Sequence, residues 1–155
     1  MSDDIRNEGG MLTAPFVLEY SYKRTTGPVI GDFLTALRDD AKILAARTPS
    51  GRVVCPPLEY DPTSGEAIEE LVEVGPGGVV TTWTWVDSPE PSHPHDQPFA
   101  FALVRLDGAD TAMLHTVCVD SVDHMSSGMR VRARFRDERV GYITDIACFE
   151  AEVAS

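Results

Sequence analysis

Five arginines fall within ten positions late in the chain: Arg130, Arg132, Arg134, Arg136 and Arg139. In an extended strand residues i, i+2 and i+4 face one way. Arg130, Arg132, Arg134 and Arg136 therefore line one face, and Val131, Ala133 and Phe135 turn to the core. Like charges so placed repel unless something anionic lies across them. Guanidinium groups grip phosphate oxygens in pairs, so a phosphorylated ligand would suit this face. Neighbouring Asp and Glu side chains or an acidic partner surface would also suit it. The ladder stands out because the chain is acidic overall, with 13 basic against 25 acidic residues and a formal net charge of −12. That balance opposes non-specific binding to nucleic acid or to anionic membranes.

His93-Pro94-His95-Asp96 offers two imidazoles and a carboxylate in a loop, Ser88 to Pro98, that holds four prolines. A proline between the histidines stiffens the segment without aiming both rings at one point, so a rigid, exposed loop tip is expected and not a metal centre. His115 alternates within a strand-like run and His124 sits near a turn; both are expected to be structural. The chain has no Gly-x-Ser-x-Gly elbow, no phosphate-binding glycine loop followed by Lys, and no dinucleotide fingerprint. Gly75-Pro76-Gly77-Gly78 reads as a bend, because proline removes an N–H that an anion nest would use. Nothing in these motifs argues for independent catalysis. Cys55, Cys118 and Cys148 are odd in number and far apart, which favours reduced thiols serving as small apolar residues.

The elements that must carry these groups are mostly strands. Val79–Val86, Phe99–Leu106, Thr111–Val119 and Val131–Arg136 are rich in β-branched and aromatic residues and are separated by Gly, Pro, Asp and Ser. Asp107-Gly108 between two such runs is a hairpin signal. The spacing predicts an antiparallel meander that closes into a small β-barrel, since closure removes exposed edges. Upstream, Phe16 to Tyr22 offers apolar and aromatic side chains as a short strand or an extended arm. Gly31 to Asp40 reads as a short helix with Asp32 as N-cap and Phe33, Leu34 and Leu37 on one face. Lys42–Arg47 and Arg52–Cys55 flank the turn Thr48-Pro49-Ser50-Gly51 as a hairpin. A second turn-rich stretch runs from Pro56 to Gly65. Two tight turns beside a short hairpin make the skeleton of a zinc ribbon, yet no cysteine pairs occupy them. Met1 to Leu12 is unlike a secretory signal and no apolar run approaches a membrane span. A soluble, cytoplasmic protein is expected.

The order of these pieces resembles the acyl-CoA-associated OB-fold family known as domain of unknown function 35. Its carriers are Phe33-Leu34-Thr35-Ala36-Leu37, Lys42-Ile43-Leu44, Gly51-Arg52-Val53, Pro56-Pro57, Phe99 through Asp107, and Gly128-Met129-Arg130-Val131. The resemblance implies a mainly β protein, an OB-fold five-stranded barrel with a short N-terminal helix and a rubredoxin-like ribbon remnant. The chain is expected to divide into an N-terminus (1–14), disordered as polar termini usually are, a helical arm (15–41), a degenerate zinc-ribbon-like hairpin (42–67) and the barrel (68–155). In the family two cysteine knuckles bind zinc. Here Thr48, Ser50, Asp61 and Ser64 stand at the ligand positions. One hard carboxylate and neutral hydroxyls cannot replace four thiolates around zinc, so neither metal nor cofactor is expected.

The resemblance further implies a non-catalytic accessory subunit. Its partner would be a thiolase-like or lipid-transfer-protein-like subunit of a lyase or acyltransferase complex, such as a steroid side-chain aldolase or a thiolase. The chain would help form a channel for an acyl-CoA thioester, with Arg130, Arg132 and Arg134 as candidate contacts for coenzyme A phosphates. A nucleic-acid-binding OB module would use stacking aromatics on a barrel face, against which the net charge counts. A stand-alone acyl-CoA-binding protein is the other alternative.

Overall fold

A computed structural model describes residues 16–152 and, before them, an antiparallel pair of two-residue strands, β1 (Ile5–Arg6) and β2 (Leu12–Thr13). The disorder expected of residues 1–14 otherwise falls outside the described residues. Phe16 to Tyr22 carries no strand pairing, and Phe16, Tyr20 and Tyr22 are 87%, 75% and 79% exposed.

The helix α1 spans Pro28–Asp40 and starts earlier than Asp32 would allow. Pro28 sets the start, because its fixed φ suits the first helical turn and its missing N–H costs nothing there. Gly27, at φ 79°, takes the N-cap position instead of Asp32. Val29, Phe33, Ala36 and Leu37 form the buried stripe, so Leu34 sits beside that stripe and not within it.

The predicted hairpin is present as β3 (Ile43–Arg47) and β4 (Val53–Val54), with Ala46 opposite Val54. The strand β5 (Glu70–Val74) pairs along the whole other edge of β3, from Ile43↔Val74 to Arg47↔Glu70. Residues 70–74 thus spend their hydrogen bonds on the ribbon, and the barrel strands begin at Gly77.

The barrel comprises β6 (Gly77–Val86), β7 (Phe99–Leu106), β8 (Ala112–Cys118), β9 (Arg130–Phe135) and β10 (Ile146–Ala151), closed in the order β10-β8-β7-β6-β9. The β8–β10 pair is parallel and the other four are antiparallel. A five-stranded closed sheet with this crossover is the OB-fold. Alternation along β7 buries Ala100, Ala102, Val104 and Leu106 and turns Leu103 and Arg105 out. On β6, Gly78 lies so close to its neighbour that a Cβ there would meet the Arg105 carbonyl oxygen at 2.8 Å.

Ribbon and barrel share one core, in which Leu37, Ile43, Ala45 and Val74 join Val80, Val104, Met113, Val117, Val131 and Phe149. The turn between β7 and β8 also stitches them. Asp110 Oδ2 accepts from the Val53 N–H (2.8 Å) and the Asp110 N–H donates to the Val53 carbonyl (2.8 Å). Thr111 Oγ1 accepts from the Cys55 N–H (2.8 Å) and donates to the Cys55 carbonyl (2.9 Å). No helix among the described residues is long and apolar enough to cross a membrane.

Candidate functional site

Along β9 the alternation is as expected: Arg130, Arg132 and Arg134 are exposed and Val131 is fully buried. Register then decides what the arginines meet. The strand β10 runs beside β9 with Glu150 opposite Arg132 and Cys148 opposite Arg134. Arg130 grips both Asp107 oxygens (2.7 and 2.6 Å) and donates Nε to Glu152 (2.9 Å). Its hydrogen bonds hold the Asp107 carboxyl below its ordinary value. Arg134 donates to Glu150 and places Nη2 3.3 Å from Cys148 Sγ. Arg132 reaches Glu152 only at 3.8 Å. Of the three candidates, Arg132 is the least committed.

The four ribbon positions converge. Thr48 Oγ1 and Ser50 Oγ are 2.8 Å apart, and Thr48 Oγ1 also caps the Arg52 N–H (3.0 Å). Asp61, 1% exposed, spans the two turns: Oδ2 accepts from the Ser50 N–H (3.2 Å) and Oδ1 from the Thr63 N–H (2.8 Å). Ser64 Oγ takes the Glu66 N–H at 3.3 Å. The Thr63 N–H, and after it Ser50, keep the Asp61 carboxyl below its ordinary value against the effect of burial. This donor set does not fit zinc, since its one carboxylate is engaged by peptide N–H groups and the rest are hydroxyls. A hydrogen-bonded clasp joins the turns. Among the described residues no group of three His, Cys, Asp or Glu side chains is placed to hold a metal ion.

A third arrangement forms where two loops, 87–98 and 136–145, flank the outer face of β7 and β8. Strands 2 and 3 of an OB-fold and the two loops beside them are its usual binding surface. In the loop expected to be a rigid, exposed tip, His93 and His95 are half-buried. His93 Nδ1 accepts from the Glu90 N–H (2.8 Å) and its ring stands edge-on to Phe99 at 6.0 Å. His95 lies 5.0 Å from Phe99, with Nε2 2.8 Å from Thr116 Oγ1 and 3.9 Å from Cys118 Sγ. Burial, then the Arg136 and Arg134 charges, depress the His95 pKa. His115 stands edge-on to Phe149 at 5.5 Å, and burial lowers its pKa. Between the loops a cleft of about 200 Å³ is lined by Phe101, Leu114, His115, Ile143, Ile146 and Arg136.

The opposite loop is rigid for a reason that alternation could not reveal. Buried Asp145 accepts from the N–H groups of Val140 (3.0 Å), Gly141 (2.7 Å) and Tyr142 (3.3 Å). Arg139 ties the loop to α1, donating Nε to the Arg38 carbonyl (2.9 Å). The three cysteines are free, with Cys55 and Cys148 buried and Cys118 half-buried. Cys118 and Cys148 lie near each other on neighbouring strands, where Cys118 and Arg134 both favour the Cys148 thiolate.

Residues 71–136 match the family described as ChsH2, C-terminal OB-fold domain. No curated protein matches the chain. Among solved structures, a protein of unknown function from the DUF35 family of Sulfolobus solfataricus superposes with a TM-score of 0.61 at 18% identity, covering 83% of this chain and 85% of that one. A chain of the Ltp2-ChsH2(DUF35) aldolase superposes with a TM-score of 0.59 at 19% identity, covering 84% of this chain and all (100%) of that one. The OB-fold resemblance read from the sequence is thus borne out. Residues 71–136 are thus similar to the ChsH2 C-terminal OB-fold domain, and the chain has the fold of the DUF35 proteins.

Proposed function

We propose that this chain is a non-catalytic accessory subunit of a lipid-metabolising enzyme, paired in the cytoplasm with a thiolase-like or lipid-transfer-protein-like subunit that cleaves or forms a carbon–carbon bond in an acyl-CoA thioester. The observation that carries the reading is the superposition with a chain of the Ltp2-ChsH2 aldolase, which takes in ribbon and barrel together over the whole of that chain. The exposed arm supports it, because Phe16, Val17, Leu18, Tyr20 and Tyr22 present a run of apolar and aromatic surface to a partner. A steroid side-chain thioester is the substrate class implied by the resemblance. On this reading Arg132, the least committed of the three candidates, meets a coenzyme A phosphate, while Arg130 and Arg134 order the face around it.

The test is co-expression with the thiolase-like proteins of the same organism, followed by sedimentation and an acyl-CoA cleavage assay. A stable hetero-complex is expected, with activity that neither chain has alone. A well-behaved monomer that joins none of them, and alters the activity of none, overturns the proposal.

A further inference from the structure

We propose that Cys118 and Cys148 form a dithiol modification site, at which hydrogen peroxide converts the two thiols to a reversible disulfide between β8 and β10. The site is independent of the subunit role above. These strands meet in the parallel seam of the barrel, where Phe149 stands opposite Val117 and Glu150 opposite Cys118. Cys148 lies two residues before Glu150 and so sits diagonal to Cys118. A β-bulge between Ile146 and Cys148 interrupts the alternation of β10, and a bulge re-aims side chains. Cys148 and Phe149 are both fully buried there. The Cys118 thiol faces the Cys148 sulfur as a hydrogen-bond donor.

The surroundings favour a thiolate. Arg134 places Nη2 3.3 Å from Cys148 Sγ, and a guanidinium so close stabilises a sulfur anion and repels a metal cation. The Cys118 hydrogen bond, and then Arg134, hold the Cys148 thiol below its ordinary value against the effect of burial. The shared proton stays on Cys118. Glu150, bonded to Arg134, and His95, 3.9 Å from Cys118 Sγ, are the other titratable groups beside the pair. A cavity of about 360 Å³, lined by His95, Phe99, Cys118 and Glu150, gives access. Half-buried Cys118 stands in its wall and Cys148 has no exposed surface, so only a small oxidant is suited. The Cys148 thiolate attacks one peroxide oxygen; the S–O bond forms, the O–O bond breaks, and the departing hydroxide takes the Cys118 proton. The Cys118 thiolate then attacks the Cys148 sulfenic acid; the S–S bond forms and the S–O bond breaks. The second hydroxide takes up the proton that Cys148 had given to solvent. Each sulfur loses one electron, the peroxide gains two, and two waters result. Cys55 is the internal contrast, buried against Met113 Sδ at 3.8 Å with its thiol pushed up to about 12 by burial.

The experiment exposes the reduced full-length chain to hydrogen peroxide at pH 7, quenches with iodoacetamide at intervals, and maps the peptides by mass spectrometry without reductant. A Cys118–Cys148 link is expected, with Cys55 left as a thiol and both partners restored by dithiothreitol. In Cys118→Ser, Cys148 should stop at the sulfenic acid, which a 1,3-dione probe traps. Arg134→Gln should slow the reaction by roughly threefold to tenfold, as loss of a neighbouring cation raises the thiol pKa. Arg132→Gln should leave the rate unchanged. The wild-type map decides the pairing even where a variant fails to fold. The proposal is overturned if the folded wild type forms no Cys118–Cys148 link, or if Cys55 joins either partner as readily. It is also overturned if folded Cys118→Ser yields no trapped sulfenic acid, or if Arg134→Gln reacts at the wild-type rate.

Discussion

Thr111→Val probes how the ribbon is held to the barrel. Valine keeps the shape of threonine and removes one hydroxyl, which accepts from the Cys55 N–H and donates to the Cys55 carbonyl. Cys55 is 1% exposed, so water does not readily replace the lost partner. An unsatisfied buried donor costs about 1–3 kcal/mol. The new methyl recovers at most about 0.8 kcal/mol by burial. The net expectation is a loss of about 1–2 kcal/mol, or roughly 2–8 °C in Tm for a domain of this size. Urea unfolding gives the first number. Hydrogen exchange gives the location, because the Cys55 amide should lose protection while barrel amides such as Val104 keep theirs. The neighbouring Asp110 makes a parallel pair of bonds to Val53, so the two sites should couple in a double-mutant cycle. A stability within about 0.3 kcal/mol of wild type, with Cys55 protection unchanged, would refute the reasoning.

Burial lowers the pKa values of His115 and His95 in the fold, so the unfolded chain takes up those protons first. Their contribution to stability is complete above the ordinary value of about 6.5 and is lost as pH falls from there towards the folded pKa. Thermal unfolding at pH 7.5 and 5.5 should show the drop, and His115→Gln should narrow it; greater stability at pH 5.5 would reverse the sign. Gly78→Ala sets a Cβ 2.8 Å from the Arg105 carbonyl oxygen, and should cost about 1–3 kcal/mol by overpacking. Urea unfolding checks it, and an unchanged midpoint would mean that β6 and β7 can part without strain.

The barrel was legible because its strands carry period-two patterns that survive into the fold, as in Phe99–Leu106 and Arg130–Phe135. The ribbon hairpin was legible from turn chemistry at Thr48–Gly51. The helix start was read late because Asp32 is a good capping residue by type, whereas Pro28 dictates the start by its fixed φ. The pairing of Glu70–Val74 with β3 was hidden, since a strand carries no label for the edge it joins. The same holds for the site. Alternation places four arginines on one face, but only the register of β10 shows that Arg130 and Arg134 are held by carboxylates while Arg136 escapes them. The Asp110, Thr111 and Asp145 bonds are long-range or depend on loop geometry, and no spacing rule anticipates them.

The Asp61 clasp changes what the ribbon depends on in a cell. A ribbon closed by thiolates folds only as fast as metal is delivered, and it opens to chelators and to oxidants that consume its sulfurs. Here both turns are closed by peptide N–H groups on one buried carboxylate, so every component arrives with the chain itself. Neither metal starvation nor peroxide reaches this joint. Acid is the condition that does, because protonating Asp61 removes the charge on which the two turns converge.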